Sequence, residues 1–175
     1  IMAGTGVAAK QGILIKDVEA LETTRQLRTV AFDKTGTLTI GKPTLVRLHA
    51  LDGDGTTLLA LAAGLQQGSE HPLAKAVLDA AHERGIAAAD ITAITAVAGR
   101  GVQGGRGDAR WVLGHARWLG ELGVDLTSAQ ILANEASNAG QTQSWLAGHT
   151  EQGWHLQGLL AFGDTPRPQS AQAVA

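Results

Sequence analysis

Apolar and polar positions divide the chain into short, well-punctuated elements. Residues 1–26 are mixed: Gly4 and Gly6 give way to the apolar run Ile13-Leu14-Ile15, and 20–26 reads as a short helix or connector. Leu27-Arg28-Thr29-Val30-Ala31-Phe32 is a candidate buried strand that stops abruptly at Asp33. Residues 33–43 contain Gly36, Gly41 and Pro43 and read as turn. Positions 44–50 alternate as a strand, and Asp52-Gly53-Asp54-Gly55 marks a turn. Thr56 or Thr57 can cap a helix over 58–67. A second helix has Pro72 in its first turn and Gly85 just past its end, with Leu73, Ala76, Val77, Ala80 and Ala81 along one face. Residues 91–98 read as a strand, 101–107 as a glycine-rich return, and 111–113 as a strand. Helices are expected over 115–122 and 128–139. An antiparallel pair over 143–147 and 154–162 closes the order, and Pro166 opens a last short helix. The succession predicts an α+β fold over 44–162, an antiparallel sheet flanked by helices.

Composition then narrows the function. With 175 residues and 44% hydrophobic content, the chain can bury a real core and suits one domain, or one and part of another. A net charge of −2 gives no electrostatic footprint for nucleic acid. The absence of cysteine excludes disulfides, thiolate nucleophiles, zinc ribbons and iron–sulfur clusters. No apolar run reaches the roughly eighteen residues of a membrane helix, and Ile1-Met2-Ala3-Gly4 does not open a signal peptide. Both ends fall inside ordinary elements, so the chain is expected to be an excised piece, monomeric by itself.

Candidate chemistry centres on Asp33-Lys34-Thr35-Gly36-Thr37-Leu38-Thr39. An aspartate at the carboxyl end of an apolar strand, on a glycine-containing loop, is placed to attack a ligand in the crevice there. Its carboxylate can accept a phosphoryl group as an acyl phosphate. Lys34 can offset phosphate charge, backbone N–H groups around Gly36 can cradle oxygens, and Thr37 adds a hydroxyl. The bland alternative is a surface turn capped by an aspartate.

A second candidate is Ser69-Glu70-His71-Pro72. Pro72 fixes a helix start, so His71 sits at its N-terminal end, either free to face a ligand or acting as a plain cap or surface residue. Gly99-Arg100-Gly101-Val102-Gln103-Gly104 fits G-x-G-x-x-G, but no helix follows as a dinucleotide fold requires, and a hairpin between strands suits it better. Such glycines still permit close backbone approach to a ligand. Histidines 49, 82, 149 and 155 lack metal-ligand spacing and read as surface, whereas tryptophans 111, 118, 145 and 154 read as core.

The Asp33–Thr39 loop and Ser69-Glu70-His71-Pro72-Leu73 together resemble heavy-metal-transporting P-type ATPases, and the wording is most like the bacterial copper(I)-exporting members. The resemblance covers essentially the whole chain. Residues 4–16, Ala20-Leu21-Glu22 and Val30-Ala31-Phe32 resemble the stretch leaving the sixth membrane helix, and 162–175 the return into the phosphorylation domain. It implies that residues 1–43 and 163–175 are incomplete flanks of a haloacid-dehalogenase-like α/β phosphorylation domain, around a nucleotide-binding domain at 44–162. It implies Asp33 as phosphorylated nucleophile, with Lys34, Thr35 and Thr37 in the catalytic loop. Mg²⁺ would be held by the Asp33 carboxylate and the Thr35 main-chain carbonyl. ATP would be bound by Gln66, Glu70, His71, Gly99, Gly101, Val102, Gly114 and His115, with His71 at the adenine. Thr35 stands where related phosphatases carry a second aspartate, which argues for a pump over a phosphatase. Gln66 replaces a customary glutamate, and Gly114-His115 a customary Gly-Asn. The further Thr-Gly-Asp and Gly-Asp-Gly-x-x-Asn-Asp segments of the family are not in the sequence. The implied partners are ATP and a membrane domain of the same polypeptide, at the cytosolic face of a membrane.

Overall fold

The computed structural model describes residues 2–17, 19, 23, 24 and 26–174. The chain forms two compact units, one up to Asp33 and one from Lys34. In the first, helix α1 (Met2–Lys10) ends at Gly12, whose φ of 82° allows the Ile13 N–H to reach back to the Ala8 carbonyl at 2.9 Å. The sequence reading gave no helix there, because Gly4 and Gly6 are poor helix formers. The connector expected over 20–26 lies largely outside the described residues. Leu27–Phe32 is not the buried strand expected of it: Leu27 and Val30 are 59% and 62% exposed and the segment is irregular. A strand exists only through hydrogen bonds to a neighbour, and among the described residues of this unit there is none to pair with.

The second unit opens with a single π-turn (Lys34–Leu38) and then a six-stranded antiparallel sheet. Its strands are β1 (Thr39–Ala50), β2 (Thr92–Val97), β3 (Gly101–Arg106), β4 (Ala109–Gly114), β5 (Thr142–Thr150) and β6 (Gly153–Pro166). They lie in the order β1-β6-β5-β4-β3-β2. Strand β1 begins five residues before its expected start. It runs through Gly41 and Pro43, the residues that made this stretch look like turn. An edge strand tolerates proline, and the register shift between Thr39 and Pro43 absorbs Gly41 at a φ of 78°. Strand β6 continues through Pro166, so the last helix starts not there but at Ser170, as α6 (Ser170–Val174).

Helices α2 (Gly55–Leu65) and α3 (Pro72–Glu83) pack on one face of the sheet. Leu58, Ala62, Leu65 and Val77 meet Val102, Leu113, Leu146, Leu160 and Phe162 there. Helices α4 (Ala116–Glu121) and α5 (Gln130–Asn138) cover the other face, where Trp118, Leu119 and Ala133 meet Val112, Trp145, Leu156 and Leu159. Neighbours such as Leu159 and Leu160 therefore point into different cores, and both are fully buried. Each contributes roughly 1.5–3 kcal/mol by burial. This is why the central strands read as continuous apolar runs rather than alternating ones. Trp118 and Trp145 lie in the second core, as expected of tryptophans here. His49, expected at the surface, is half-buried, and its Nε2 is buried with no hydrogen-bond partner among the described residues. Among the described residues no helix is long and apolar enough to cross a membrane.

Candidate nucleotide cavity and phosphoacceptor loop

A cavity of about 670 Å³ opens between the end of α2, the start of α3, the β2–β3 turn, the end of β4 and the start of β5. Its size suits a cofactor-sized ligand. Gln66, His71, Gly99, Gly101, Val102, Gly114 and His115 all line it, although they come from three separated stretches of sequence. Glu70 is exposed and is not among the lining residues. Arg100 also lines the cavity, held at 2.8 Å by Glu121 of α4. The sequence reading missed Thr142, Gln143 and Ser144, which close the wall from β5; nothing in their local pattern separates them from any exposed strand start.

The corner at His71 follows from its neighbours. Asp54, rather than Thr56 or Thr57, caps α2 by accepting the Thr57 N–H at 2.7 Å. These bonds hold the Asp54 carboxyl below its ordinary value, the Thr57 amide contributing most and the Thr57 hydroxyl next. Helix α2 then ends at Gln66, and the turn through Gly68 delivers Ser69 to Pro72. Pro72 occupies the first turn of α3, and His71 is its N-cap, accepting the Leu73 N–H on Nδ1 at 3.2 Å. The capping and ligand-facing roles weighed for His71 are thus compatible. One ring nitrogen caps the helix, and the ring still lines the cavity with Nε2 free of any hydrogen bond among the described residues.

The opposite wall is set by close backbone packing. Gly101 pairs with Gly114 across β3 and β4. A Cβ on Gly101 would lie 2.2 Å from the Leu113 carbonyl oxygen, and one on Gly114 would lie 2.4 Å from that of Arg100. These glycines let strands and turn approach each other, so the stretch expected as a glycine-rich return is itself a strand. His115 caps α4 by accepting the Trp118 N–H on Nδ1 at 3.1 Å. With Nδ1 an acceptor, the proton sits on Nε2, which donates to the Gly99 carbonyl at 3.0 Å.

The loop that begins at Asp33 is held differently. Asp33 is exposed and ends the first unit. From Lys34 onward, backbone groups are fixed by side chains from distant sequence. Thr39 is the one buried polar side chain among the described residues. Its hydroxyl accepts the Gly36 N–H at 3.2 Å, and its single proton lies between the Lys34 carbonyl at 3.0 Å and the Asp164 carboxylate. Asp164 also accepts the Gly41 N–H, at 3.1 and 3.2 Å on its two oxygens. Arg167 Nη2 donates to the Gly36 carbonyl at 2.9 Å, and the Ser170 hydroxyl to that of Leu38 at 2.6 Å. Lys34 Nζ donates to the Gly140 carbonyl at 3.2 Å. The sequence reading gave no site role to Thr39, Asp164, Arg167 or Ser170. Asp164, Arg167 and Ser170 meet partners more than a hundred positions away, beyond any local pattern, and Thr39 joins Lys34 and Gly36 to Asp164.

A fold with this sheet, this cavity and this loop defines a class. The chain belongs to the haloacid dehalogenase-like hydrolase family, whose pattern matches residues 27–175. Over 174 residues it is 43% identical to the copper-exporting P-type ATPase of Vibrio cholerae, covering 99% of this chain and 19% of that protein. It is 37% identical over 175 residues to the silver exporting P-type ATPase of Salmonella typhimurium, covering 99% of this chain and 21% of that protein. Among solved structures it is similar to a zinc-transporting PIB-type ATPase in the E2.Pi state. The TM-score is 0.70 at 34% identity, covering 99% of this chain and 28% of the other. The chain spans about a fifth of the length of these curated relatives.

Proposed function

We propose that this chain is the ATP-binding and phosphoryl-accepting part of a P-type ATPase that couples ATP hydrolysis, through an aspartyl phosphate, to heavy-metal transport across a membrane. The observation that carries the reading is the convergence of Gln66, His71, Gly99, Gly101, Val102 and Gly114 on one cavity. These residues form the nucleotide contact set, with the His71 ring at the adenine. Glu70 flanks that set. His115 is left outside it, because both its ring nitrogens are engaged within the chain. Residues 44–162 are the nucleotide-binding domain, and 1–43 and 163–175 belong to the phosphorylation domain.

In the reaction an Asp33 carboxylate oxygen attacks the γ-phosphorus. The new O–P bond forms as the bond to the β-phosphate oxygen breaks, and ADP leaves. Lys34 compensates charge, and the Thr37 hydroxyl offers a donor to the phosphoryl oxygens, the Gly36 amide being engaged by Thr39. Thr35 supplies no carboxylate to activate water, so the acyl phosphate persists. For Mg²⁺ the donor chemistry fits. The Asp33 carboxylate and Thr35 carbonyl would offer it two hard oxygens. Mg²⁺ suits such a sparse set, since it keeps waters and takes phosphate oxygens. When bound, it neutralises phosphate charge. The polypeptide works at the cytosolic face with its own membrane domain as partner, and copper(I) is the ion favoured by the copper-exporting relatives. Zinc or cadmium is the alternative.

In the full-length polypeptide, Asp33→Asn abolishes the acid-stable phosphoenzyme formed from γ-labelled ATP, since an amide cannot attack. Label surviving in that variant sinks the assignment. Stimulation of labelling by copper(I) rather than zinc(II) decides the ion. The 175-residue chain alone binds ATP without sustained turnover; turnover by the chain alone would mean that it holds a complete active site.

A further inference from the structure

We propose that His115 is a positioning residue for the cavity: its neutral ring staples the β2–β3 turn to the start of α4 and so keeps the glycine wall shaped for nucleotide. The inference rests on the nucleotide reading of the cavity and adds a residue that acts without touching the ligand.

The staple has two arms. Nε2–H donates to the Gly99 carbonyl at 3.0 Å, and Nδ1 accepts the Trp118 N–H at 3.1 Å, sharing it with the His115 main-chain carbonyl, also at 3.1 Å. The ring thereby ties a turn on one side of the cavity to a helix anchored in the second core, where Trp118 is buried. Backbone contacts reinforce the same joint. The His115 N–H reaches the Arg100 carbonyl at 3.2 Å, and the Arg100 side chain reaches Glu121 at 2.8 Å. Gly99 differs from Arg100. Among the described residues, the His115 ring makes the one side-chain hydrogen bond to it. Gly99 lies in the left-handed region at a φ of 68°, a conformation glycine does not hold by itself, so an external bond matters there.

The chemistry of the staple makes it conditional. A neutral imidazole offers one donor and one acceptor, and both are used. An imidazolium offers two donors, so Nδ1–H would confront the Trp118 N–H and that arm would open. The charged groups on the surrounding elements are Arg100 on the turn, Arg117 and Glu121 on α4, and His71 at the start of α3 across the cavity. Glu121 is shared by Arg100 at 2.8 Å and Arg117 at 3.4 Å. No acidic side chain lines the cavity to hold a proton on the ring. Protonation of the ring should therefore open the staple and weaken nucleotide binding. An asparagine at 115 keeps a good cap acceptor and an amide donor but cannot titrate.

The test uses this chain as wild type, H115N and H115A, with two readouts at pH 8 and pH 5.5. One is ATP affinity by calorimetry, and the other is hydrogen-exchange protection of the Trp118 amide without ligand. Wild type should lose the ring's share of Trp118 protection on acidification and bind ATP several-fold more weakly. H115N should keep its protection and show a flatter pH profile, while H115A, whose Trp118 N–H retains only the main-chain carbonyl of residue 115, should lose the side-chain share of that protection and be weakened at both pH values. His71 is present in all three chains, so only the difference between wild type and H115N belongs to His115. Identical pH profiles in wild type and H115N, or full Trp118 protection in H115A, overturn the staple. If H115A does not fold, the wild-type and H115N comparison decides alone. Failure of the wild type to bind ATP at pH 8 overturns the nucleotide reading instead, and Trp118 protection still reports separately on the staple.

Discussion

The loop from Lys34 to Thr39 and the corner from Gln66 to Pro72 are held in opposite ways. The corner is built locally. Helix α2 ends, a glycine turns the chain, a proline starts α3, and His71 caps the helix it precedes. The loop is built remotely, from Asp164, Arg167 and Ser170, which return alongside it only after the whole sheet has been traced. A locally built site is as robust as the helices that frame it. A remotely built one depends on the register between β1 and β6, and a single carboxylate at Asp164 collects several of its bonds.

The largest effect that sharpens this contrast is expected from Asp164→Ala. Losing the acceptor for Thr39 and Gly41 should let the loop backbone drift. A misplacement of about 1 Å can cost on the order of a hundredfold in rate. Rapid-quench labelling of the full-length polypeptide should show that loss, while ATP affinity stays within about twofold. A proportional loss of affinity would mean that the loop and the corner are not separately held.

His71→Ala should do the reverse at smaller scale. One lost ligand contact is worth on the order of 1 kcal/mol, roughly fivefold in affinity. Calorimetry with ATP measures it, and circular dichroism checks that α3 survives the loss of its cap. An unchanged affinity would leave His71 as a helix cap and nothing more.

The smallest effect concerns acid. Asp54 has its folded-state value lowered below the ordinary 3.8, chiefly by the Thr57 amide. A carboxyl depressed on folding contributes stability that is fully present above the ordinary value and is lost as the pH falls through the lowered one. Asp54→Asn keeps a cap acceptor but cannot titrate. Its melting temperature should therefore fall slightly less than that of the wild type on acidification below pH 3.8. Equal slopes would mean that the start of α2 does not sense this charge.

Much of the corner could be read from sequence because its determinants are neighbours. Pro72 and Gly85 bracket α3, and the structure returns Pro72–Glu83. The paired strands near the end of the chain were legible because β5 and β6 are apolar on both faces. Strand β3 was not, since glycines that read as turn are there to let β3 and β4 close on each other and to leave room at Gly104 for Ile91 and Leu65. Leu27–Phe32 has the composition of a buried strand but no pairing partner among the described residues, and composition alone cannot supply one. The fixing of the loop by Asp164 was invisible for the same reason that contacts between distant residues usually are: no spacing encodes them.

The first and last strands of the sheet are neighbours, with Thr39 opposite Pro166 in register. Everything between those two residues hangs from one edge, like a page bound along its spine. The gap at that spine is the spacing of adjacent strands, about 5 Å. A host protein could therefore receive residues 39–166 in place of a tight hairpin turn with little disturbance to its own chain path. The same binding makes the segment a natural unit of exchange: swapping it between relatives changes the residues that line the cavity while cutting the chain at only two adjacent points.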